Sequence, residues 1–367
     1  MSRFISSKFD SLKPYEPGEQ PTDKKYIKLN TNESPFSPSP LVQKAISDEE
    51  IRSLRLYPDP NANCLKNSLS KHYGVKKENI FIGNGSDEIL ALIFLAFCDE
   101  KTGMAFANIT YSFYPVYCNL YNIKAEQIPV NSNFSINPRD YFNCSNNIII
   151  ANPNAPTGIA LNIDDIESII KNNKDRLVVV DEAYVDFGAK SCLPLIKKYD
   201  NLLIVRTFSK SRSLAGARIG YAFGNESLIC DLEKVKFSFN SYTNSRLSLV
   251  AAIAALEDED YFLKCRGVII KTREKTYKQL KKLNFILLPS LANFIFAKPP
   301  VFISASSYYN KLKQMGILVR YFKNSNIDSW VRITIGSSEE MDTFIEKTKL
   351  IILEAQNENC KNGTQNK

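Results

Sequence analysis

The chain has 367 residues, of which 44% are hydrophobic and 23% are charged, so we expect a globular protein with two domains. The net charge of +8 comes from lysines spread along the chain. These form no basic block and no basic–aromatic pattern, so we expect no nucleic-acid partner. No apolar signal segment begins the chain and the longest apolar stretch, 247–256, is too short to span a bilayer, so we expect a cytoplasmic protein with no membrane partner.

The scarcity of histidine and the spacing of cysteine exclude several classes of site. Eight cysteines occur singly with no Cys-x-x-Cys pair, so we expect reduced thiols and no metal. His72 is the single histidine and lies among polar residues of a predicted helix, which argues against Ser-His-Asp and Cys-His catalysis. An enzyme built on this chain would therefore move protons with lysine, tyrosine or a carboxylate.

The first 100 residues combine an extended arm with a glycine-containing turn. Residues 1–40 are rich in proline and polar residues and have little core of their own. A short strand at 80–82 leads into Gly83-Asn84-Gly85-Ser86-Asp87, and Ser86 is expected to cap a helix that runs to Phe97. A helix that begins in this way can bind phosphate through its free N–H groups.

Short β-branched runs then alternate with helical segments. Strands are predicted at 104–107, 147–151, 177–180, 202–205 and 220–223, which indicates a mostly parallel, buried sheet covered by helices. Ligands bind at the carboxyl ends of the strands in such sheets. The stretches that fall at these ends are 83–87, Tyr111, 152–158, 181–184 and 209–210.

The last third of the chain predicts a smaller α+β unit. A long charged helix at 258–283 is followed by strands at 293–297, 317–321 and 331–335 and by amphipathic helices near 306–315 and 339–354. The expected division is an arm over 1–40 that belongs to the small domain, a large domain over 41–257, a small domain over 258–355 and a disordered tail over 356–367.

A lysine and an acid at strand ends suggest carbonyl chemistry. Burial disfavours the charged form of a lysine, and a neutral lysine can form a Schiff base with a carbonyl and then act as a base, a role that suits Lys210. Asp181 at the end of a buried strand needs a cationic partner, and a protonated pyridine nitrogen would be one. Asp181, Tyr184 and Arg218 each also have an ordinary structural explanation, as a cap, a core residue and a surface ion pair. Their occurrence together favours one functional site over three separate structural roles.

Several motifs resemble those of the fold-type I pyridoxal-phosphate-dependent aminotransferases over nearly the full length of the chain. Asp181-Glu182-Ala183-Tyr184 and Ser209-Lys210 followed by Arg218 are typical of that superfamily. The segments 28–35, 57–60, 83–88 and 152–158 also match the family, and the pair 320–322 and 332–336 points more narrowly. The resemblance implies an α/β fold with a mostly parallel central sheet in a large domain, a smaller α+β domain, and a homodimer that uses pyridoxal 5′-phosphate.

The resemblance also implies a role for each candidate residue. Lys210, Asp181 and Tyr184 would be catalytic, with Lys210 holding the cofactor, Asp181 facing the pyridinium nitrogen and Tyr184 donating to the ring hydroxyl. The other expected cofactor contacts are Ser86, Asp87, Tyr111, Asn154, Ser209 and Arg218, with Tyr57 from a partner subunit. The expected substrate contacts are Tyr15, Asn32, Arg320 and Arg332, where both arginines would bind a phosphate and Arg332 also the carboxylate of glutamate.

The narrower motifs resemble the branch of the family that acts on histidinol phosphate, with glutamate and 2-oxoglutarate as the second pair. Alternatives are a threonine-phosphate decarboxylase, an aromatic amino-acid aminotransferase, and a non-catalytic regulator, for which no fused DNA-binding segment is found. One position departs from the family pattern. Ala155 stands where an asparagine usually donates to the ring hydroxyl, which leaves open whether Asn154 or no residue takes over that bond.

Overall fold

The protein is described here by a computed structural model that covers residues 2–10 and 12–365. The strands of this part are β1 Ile27–Leu29, β2 Ile80–Asn84, β3 Met104–Ala107, β4 Ala125–Ile128, β5 Asn147–Ala151, β6 Val178–Asp181, β7 Leu202–Thr207, β8 Ile219–Gly224, β9 Ile286–Leu287, β10 Phe294–Lys298, β11 Ile317–Tyr321 and β12 Val331–Thr334. The α-helices are α1 Pro40–Ala45, α2 Asp48–Arg52, α3 Asn63–Tyr73, α4 Gly85–Phe97, α5 Phe113–Tyr121, α6 Ile163–Lys171, α7 Glu226–Phe239, α8 Arg246–Glu257, α9 Glu259–Lys282, α10 Ala305–Gln314 and α11 Ser338–Gln365.

Seven strands form the large sheet in the order β2-β8-β7-β6-β5-β3-β4. Strands β7, β6, β5, β3 and β4 run parallel to one another, whereas β8 is antiparallel to both β2 and β7. Apolar clusters lie on both faces, so the strands are buried on both sides and read as continuous apolar runs. The mostly parallel sheet expected from the sequence is confirmed.

Five strands form the second sheet in the order β1-β11-β12-β10-β9, with its own apolar cluster against α9, α10 and α11. The pairs β11–β12, β12–β10 and β10–β9 are antiparallel. Strand β1 comes from the amino-terminal arm and pairs in parallel with β11, which joins the arm to this sheet. The long charged helix is α9, and the Asp258 side chain caps it by accepting from the Tyr261 N–H.

Two local predictions differ from the structure. Ser86 is not the N-cap of α4, because Gly85 adopts φ of 77° and lets the chain enter the helix earlier, so that Asn84 takes the cap position. The Asn84 N–H is satisfied instead by the Glu88 carboxylate at 2.6 Å. The segment 356–367, predicted to be disordered, continues helix α11 to Gln365, while residues 366 and 367 lie outside the described residues.

Within the described residues, no helix combines the length and apolar character required to cross a membrane. The same part of the chain contains no cluster of three or more histidine, cysteine or acidic side chains placed to hold a metal ion. The seven cysteines between residues 64 and 265 are all free thiols.

Candidate active site

A cavity of about 540 Å³ lies between the carboxyl ends of the large sheet and the second sheet. The parallel strands place their carboxyl ends at one edge, where β6 ends at Asp181 and β7 leads into Lys210. Twelve of the fourteen predicted site residues line this cavity, although they come from widely separated parts of the chain: Tyr15, Asn32, Ser86, Asp87, Tyr111, Asp181, Tyr184, Ser209, Lys210, Arg218, Arg320 and Arg332.

Asp181 is a buried carboxylate with two neutral hydrogen-bond donors. Tyr114 Oη donates to Oδ2 at 2.9 Å, and the Ala183 N–H donates to Oδ1 at 3.1 Å. Burial raises the pKa of Asp181 to about 6, and the negative charges of Asp87 and Glu182 add to the rise, while the two hydrogen bonds oppose it. A cation placed at the cavity side of this carboxylate would stabilise its ionised form.

Lys210 and Tyr184 lie next to each other on the cavity wall. The Lys210 Nζ is 5.8 Å from the centroid of the Tyr184 ring and donates to the Thr31 carbonyl oxygen at 3.3 Å. Tyr184 Oη accepts from Asn32 Nδ2 at 2.9 Å, and the edge of its ring packs against Phe294 with centroids 5.1 Å apart. A primary amine and a phenol thus lie at one wall of the cavity, where both can exchange protons with a bound molecule.

Asp87, in the first turn of α4, connects the residues at the opposite end of the cavity. Its Oδ1 accepts from Tyr111 Oη at 2.8 Å, and its Oδ2 forms an ion pair with Arg218 at 3.0 Å. Burial, and after it the Asp87 charge, raise the pKa of Tyr111 well above its usual value, so the phenol stays neutral. Arg218 and the free N–H groups of the α4 N-terminus form a positive end that suits a phosphate.

Two glycines allow this close approach. A Cβ on Gly85 would lie 2.6 Å from the Arg218 guanidinium, and the φ of 77° at Gly85 disfavours any other residue. A Cβ on Gly220 in β8 would lie 2.5 Å from the backbone of Gly85 and Ser86. The start of α4 therefore rests directly on the β8 backbone.

Two arginines face each other on neighbouring strands of the second sheet. Arg320 of β11 and Arg332 of β12 are direct cross-strand partners, an arrangement that destabilises a sheet unless an anion shares the two charges. Arg332 Nη2 donates to the Asn30 carbonyl oxygen at 2.9 Å, while its Nε is buried without a partner among the described residues. Burial lowers the pKa of Arg332 below its usual value. The pair is suited to bind a phosphate or a carboxylate.

The amino-terminal arm crosses the cavity mouth. Arg320 donates through Nη2 and Nη1 to the carbonyl oxygens of Glu16 and Pro17 at 2.9 and 3.0 Å. Tyr15 stacks on Phe113 with ring centroids 4.3 Å apart. The arm thus contacts the second sheet at Arg320 and α5 at Phe113, and it places Tyr15 over the site.

The two remaining predicted residues do not line the cavity. The Asn154 side chain points to the loop between β3 and α5, where its Nδ2 donates to the Ile109 carbonyl and its Oδ1 accepts from Thr110 at 2.7 Å. Its neighbour Ala155 lines the cavity instead and contributes only a methyl group. Tyr57 is 78% exposed and stacks on Tyr242 at a centroid distance of 4.5 Å, away from the cavity of its own chain.

Sequence reasoning missed three residues that hold the site together: Tyr114, Thr334 and Asn30. The first donates to Asp181 and lies three residues after Tyr111, a spacing that could have indicated it. Thr334 contacts Asn32 across 302 residues, and Asn30 offers only its carbonyl to Arg332. No local pattern marks these last two contacts, because each joins β12 to the arm.

The family model for aminotransferase class I and II matches residues 24–347. A histidinol-phosphate aminotransferase of Brachyspira hyodysenteriae is 54% identical over 96% of this chain and 99% of the relative. One of Marinomonas sp. is also 54% identical, over 96% of this chain and all of the relative. The crystal structure of the Sinorhizobium meliloti enzyme of that name, in complex with pyridoxal-5′-phosphate, has a TM-score of 0.86 at 24% identity and covers 96% of this chain and 99% of its own. The chain belongs to the class I and II aminotransferases.

Proposed function

We propose that this chain is a cytoplasmic, pyridoxal-phosphate-dependent enzyme of histidine biosynthesis that exchanges an amino group between histidinol phosphate and 2-oxoglutarate. The products are imidazole-acetol phosphate and glutamate. The observation that carries the proposal is the opposed pair Arg320 and Arg332 in the same cavity as Lys210 and Asp181. The names of relatives more than 50% identical over nearly the whole chain support the same substrate.

The residues of the cavity fit this cofactor. A buried carboxylate at Asp181, whose pKa is raised by burial, lacks the cation that a protonated pyridine nitrogen would supply. At the far end, the α4 N-terminus and Arg218 would hold a phosphate with Ser86, Asp87 and Ser209, and Tyr111 would cover the ring. When bound, pyridoxal phosphate supplies an electron-withdrawing ring that stabilises negative charge at the substrate Cα.

Lys210 would hold the cofactor covalently through Nζ between turnovers. With that link released, the same Nζ would be placed to move a proton between the substrate Cα and C4′ of the cofactor. Asp181 would stay ionised beside the pyridine nitrogen, and Tyr184 would donate its phenolic proton to the ring oxygen. Tyr15 and the arm would exclude water from the site, a role that its contacts to Arg320 and Phe113 support.

The opposed arginines would bind both substrates in turn. Arg320 and Arg332 would share the phosphate of histidinol phosphate, and Arg332 would bind the carboxylate of glutamate in the second half-reaction. A guanidinium binds such anions through two parallel hydrogen bonds, which lysine cannot reproduce. The Nε of Arg332, which has no hydrogen-bond partner in the part of the chain that the structure describes, leaves one donor available for this purpose.

A homodimer would complete the site. Tyr57 and its stacking partner Tyr242 are both exposed, and we propose that a second copy covers them. Tyr57 would then reach the cofactor phosphate of the partner subunit. Other exposed apolar side chains lie close to these two tyrosines in the sequence: Ile51, Leu54, Leu56 and Phe239.

A single-turnover substrate screen tests the proposed reaction. The cofactor-loaded protein is mixed with histidinol phosphate, phenylalanine, aspartate or threonine phosphate, and the cofactor absorbance is followed in time. We expect histidinol phosphate to react fastest and to leave the amine form of the cofactor. Faster reaction with phenylalanine would contradict the proposed substrate and indicate an aromatic amino-acid aminotransferase. Release of carbon dioxide from threonine phosphate would indicate a decarboxylase.

The same screen separates the roles of the two arginines. Arg332→Ala should slow both half-reactions, and Arg332→Lys should not restore them, because the two-donor geometry is lost. Arg320→Ala should slow the reaction of histidinol phosphate more than that of glutamate. Equal ratios of loss in the two variants would contradict this division of roles.

A further inference from the structure

Behind Tyr184 lies a buried polar cluster of Asn32, Thr334 and Asn293. The proposed reaction assigns no step to these three residues. Asn32 is 1% exposed, adopts φ of 57°, and is held through its carbonyl by Asn293 Nδ2 at 3.0 Å. Thr334, at the end of β12, is 2% exposed and contacts Asn32 twice. It lies opposite Phe294 in the β10–β12 ladder, and Phe294 packs on the Tyr184 ring. The cluster is therefore rigid and desolvated.

The hydrogen bonds in this cluster have one consistent direction. The Asn32 backbone N–H donates to Thr334 Oγ1 at 3.0 Å, so the Thr334 hydroxyl proton remains free and is donated to Asn32 Oδ1 at 2.9 Å. Asn32 Nδ2 then faces Tyr184 and donates to its Oη at 2.9 Å. A phenol that accepts in this way keeps its own proton for another acceptor.

Turning the Asn32 amide over would reverse this outcome. Its oxygen would then accept the Tyr184 proton, and the Thr334 proton would lose its acceptor in a buried place, which costs free energy. Among the described residues Tyr184 Oη has no second partner, and its ring lines the cavity. The Thr334 hydroxyl thus determines that the phenolic proton of Tyr184 faces the cavity.

We propose that Thr334 and Asn32 are positioning residues that direct the Tyr184 proton to the ring oxygen of the bound cofactor. This inference rests on the proposed function. It matters in this chain because Ala155 offers only a methyl group at the cavity wall and Asn154 is hydrogen-bonded to the loop between β3 and α5. Tyr184 is therefore the side chain on which donation to the ring oxygen depends.

The test compares Thr334→Val, which removes the hydroxyl, with Thr334→Ser, which keeps it. The readout is the pH midpoint of the absorbance change of the bound cofactor, which reports how tightly the ring oxygen and the Lys210 nitrogen hold their shared proton. Loss of a donor leaves that oxygen more basic, so Thr334→Val should raise the midpoint by about 0.5–1 pH unit, as one lost hydrogen bond predicts. Thr334→Ser should leave it within about 0.2 units.

A double-mutant cycle with Tyr184→Phe separates positioning from a general structural effect. If Thr334 acts through the phenol, Thr334→Val should shift the midpoint by less than about 0.2 units when Tyr184 is already phenylalanine. Asn32→Asp is the second variant, because a carboxylate only accepts and would withdraw the Tyr184 proton. Asn32→Asp should shift the pH midpoint partly through its charge and partly through the lost hydrogen bond. In the Tyr184→Phe background the first part of this shift should remain and the second should vanish.

The outcomes distinguish the inference from the proposed function. Equal shifts in both backgrounds, or no shift with Thr334→Val, overturn the inference while the wild-type protein still shows its pH-dependent band. A wild-type protein that binds no cofactor overturns both. Should Thr334→Val fail to fold, the Asn32→Asp cycle decides by the same criteria.

Discussion

At the scale of single residues, Lys210 is the side chain on which turnover depends most. Lys210→Ala should leave a folded protein whose turnover falls by at least about 10²–10⁴-fold, since a positioned base and the covalent attachment are both lost. The measurement is steady-state activity together with cofactor absorbance. Lys190→Ala, at an exposed position, is the matched control and should behave as wild type. Cofactor that borohydride still fixes to the Lys210→Ala protein would contradict the assignment.

Asp181 makes the stability of the cofactor-free protein depend on pH. Its pKa is about 6 in the folded state and near 3.8 when unfolded, so the folded state binds the proton more tightly. Below about pH 3 both states are protonated and no penalty exists, whereas between about pH 3 and 6 the unfolded state ionises first and the penalty grows. Above pH 6 the full penalty applies, on the order of 3 kcal/mol.

Asp181→Asn should remove this penalty while keeping the shape of the side chain. The cofactor-free variant should therefore unfold at a higher denaturant concentration than wild type at pH 7.5, with the difference vanishing near pH 3. Exposed Asp175→Asn serves as the control and should show no such trend. Once loaded, Asp181→Asn should bind cofactor more weakly, because the cationic nitrogen loses its partner. A difference that stays constant across this pH range would refute the cause given for the pKa.

At the scale of elements, the start of α4 depends on its contact with β8. Gly220→Ala would place a methyl group 2.5 Å from the backbone of Gly85 and Ser86, so the helix start must move. We expect a loss of about 1–3 kcal/mol in stability and weaker cofactor binding, because the phosphate-binding N–H groups move with the helix. Equilibrium unfolding and cofactor titration measure the two effects.

Gly267→Ala in α9 is the matched control for this change. No heavy atom of a non-neighbouring described residue lies within 4 Å of a Cβ added at Gly267. Alanine should therefore stabilise the helix by about 0.5–1 kcal/mol and leave cofactor binding unchanged. If Gly220→Ala retains wild-type cofactor affinity, the β8 contact does not position the phosphate site.

At the scale of the whole molecule, the proposed dimer predicts complementation between inactive variants. Lys210→Ala and Tyr57→Ala chains are mixed and allowed to exchange subunits. Random exchange makes half of the dimers mixed, each with one intact site, so activity should return to about a quarter of wild type. Each variant incubated alone is the control. No recovery after exchange verified by mass spectrometry would place Tyr57 outside the partner's site.

Local patterns in the sequence determined most elements and the residues around the cavity. Apolar β-branched runs in the sequence indicate the buried strands. Because the carboxyl ends of parallel strands lie at one edge of a sheet, Asp181 and Lys210 were expected to lie close together. The resemblance to a family supplied Arg320 and Arg332, whose side chains no local rule would join to that edge. The predictions for Asp181 and Lys210 depend on the order and direction of the strands, and both can be inferred from the sequence.

Only the tertiary structure decided how those side chains are directed. The side-chain partner of Asp181 is Tyr114, the two arginines face each other across β11 and β12, and Asn154 points to the loop between β3 and α5. Thr334 meets Asn32 across 302 residues and thereby turns the amide that faces Tyr184. Hydrogen-bond direction depends on which donors and acceptors compete in one buried volume, and that competition exists only after distant segments have packed together.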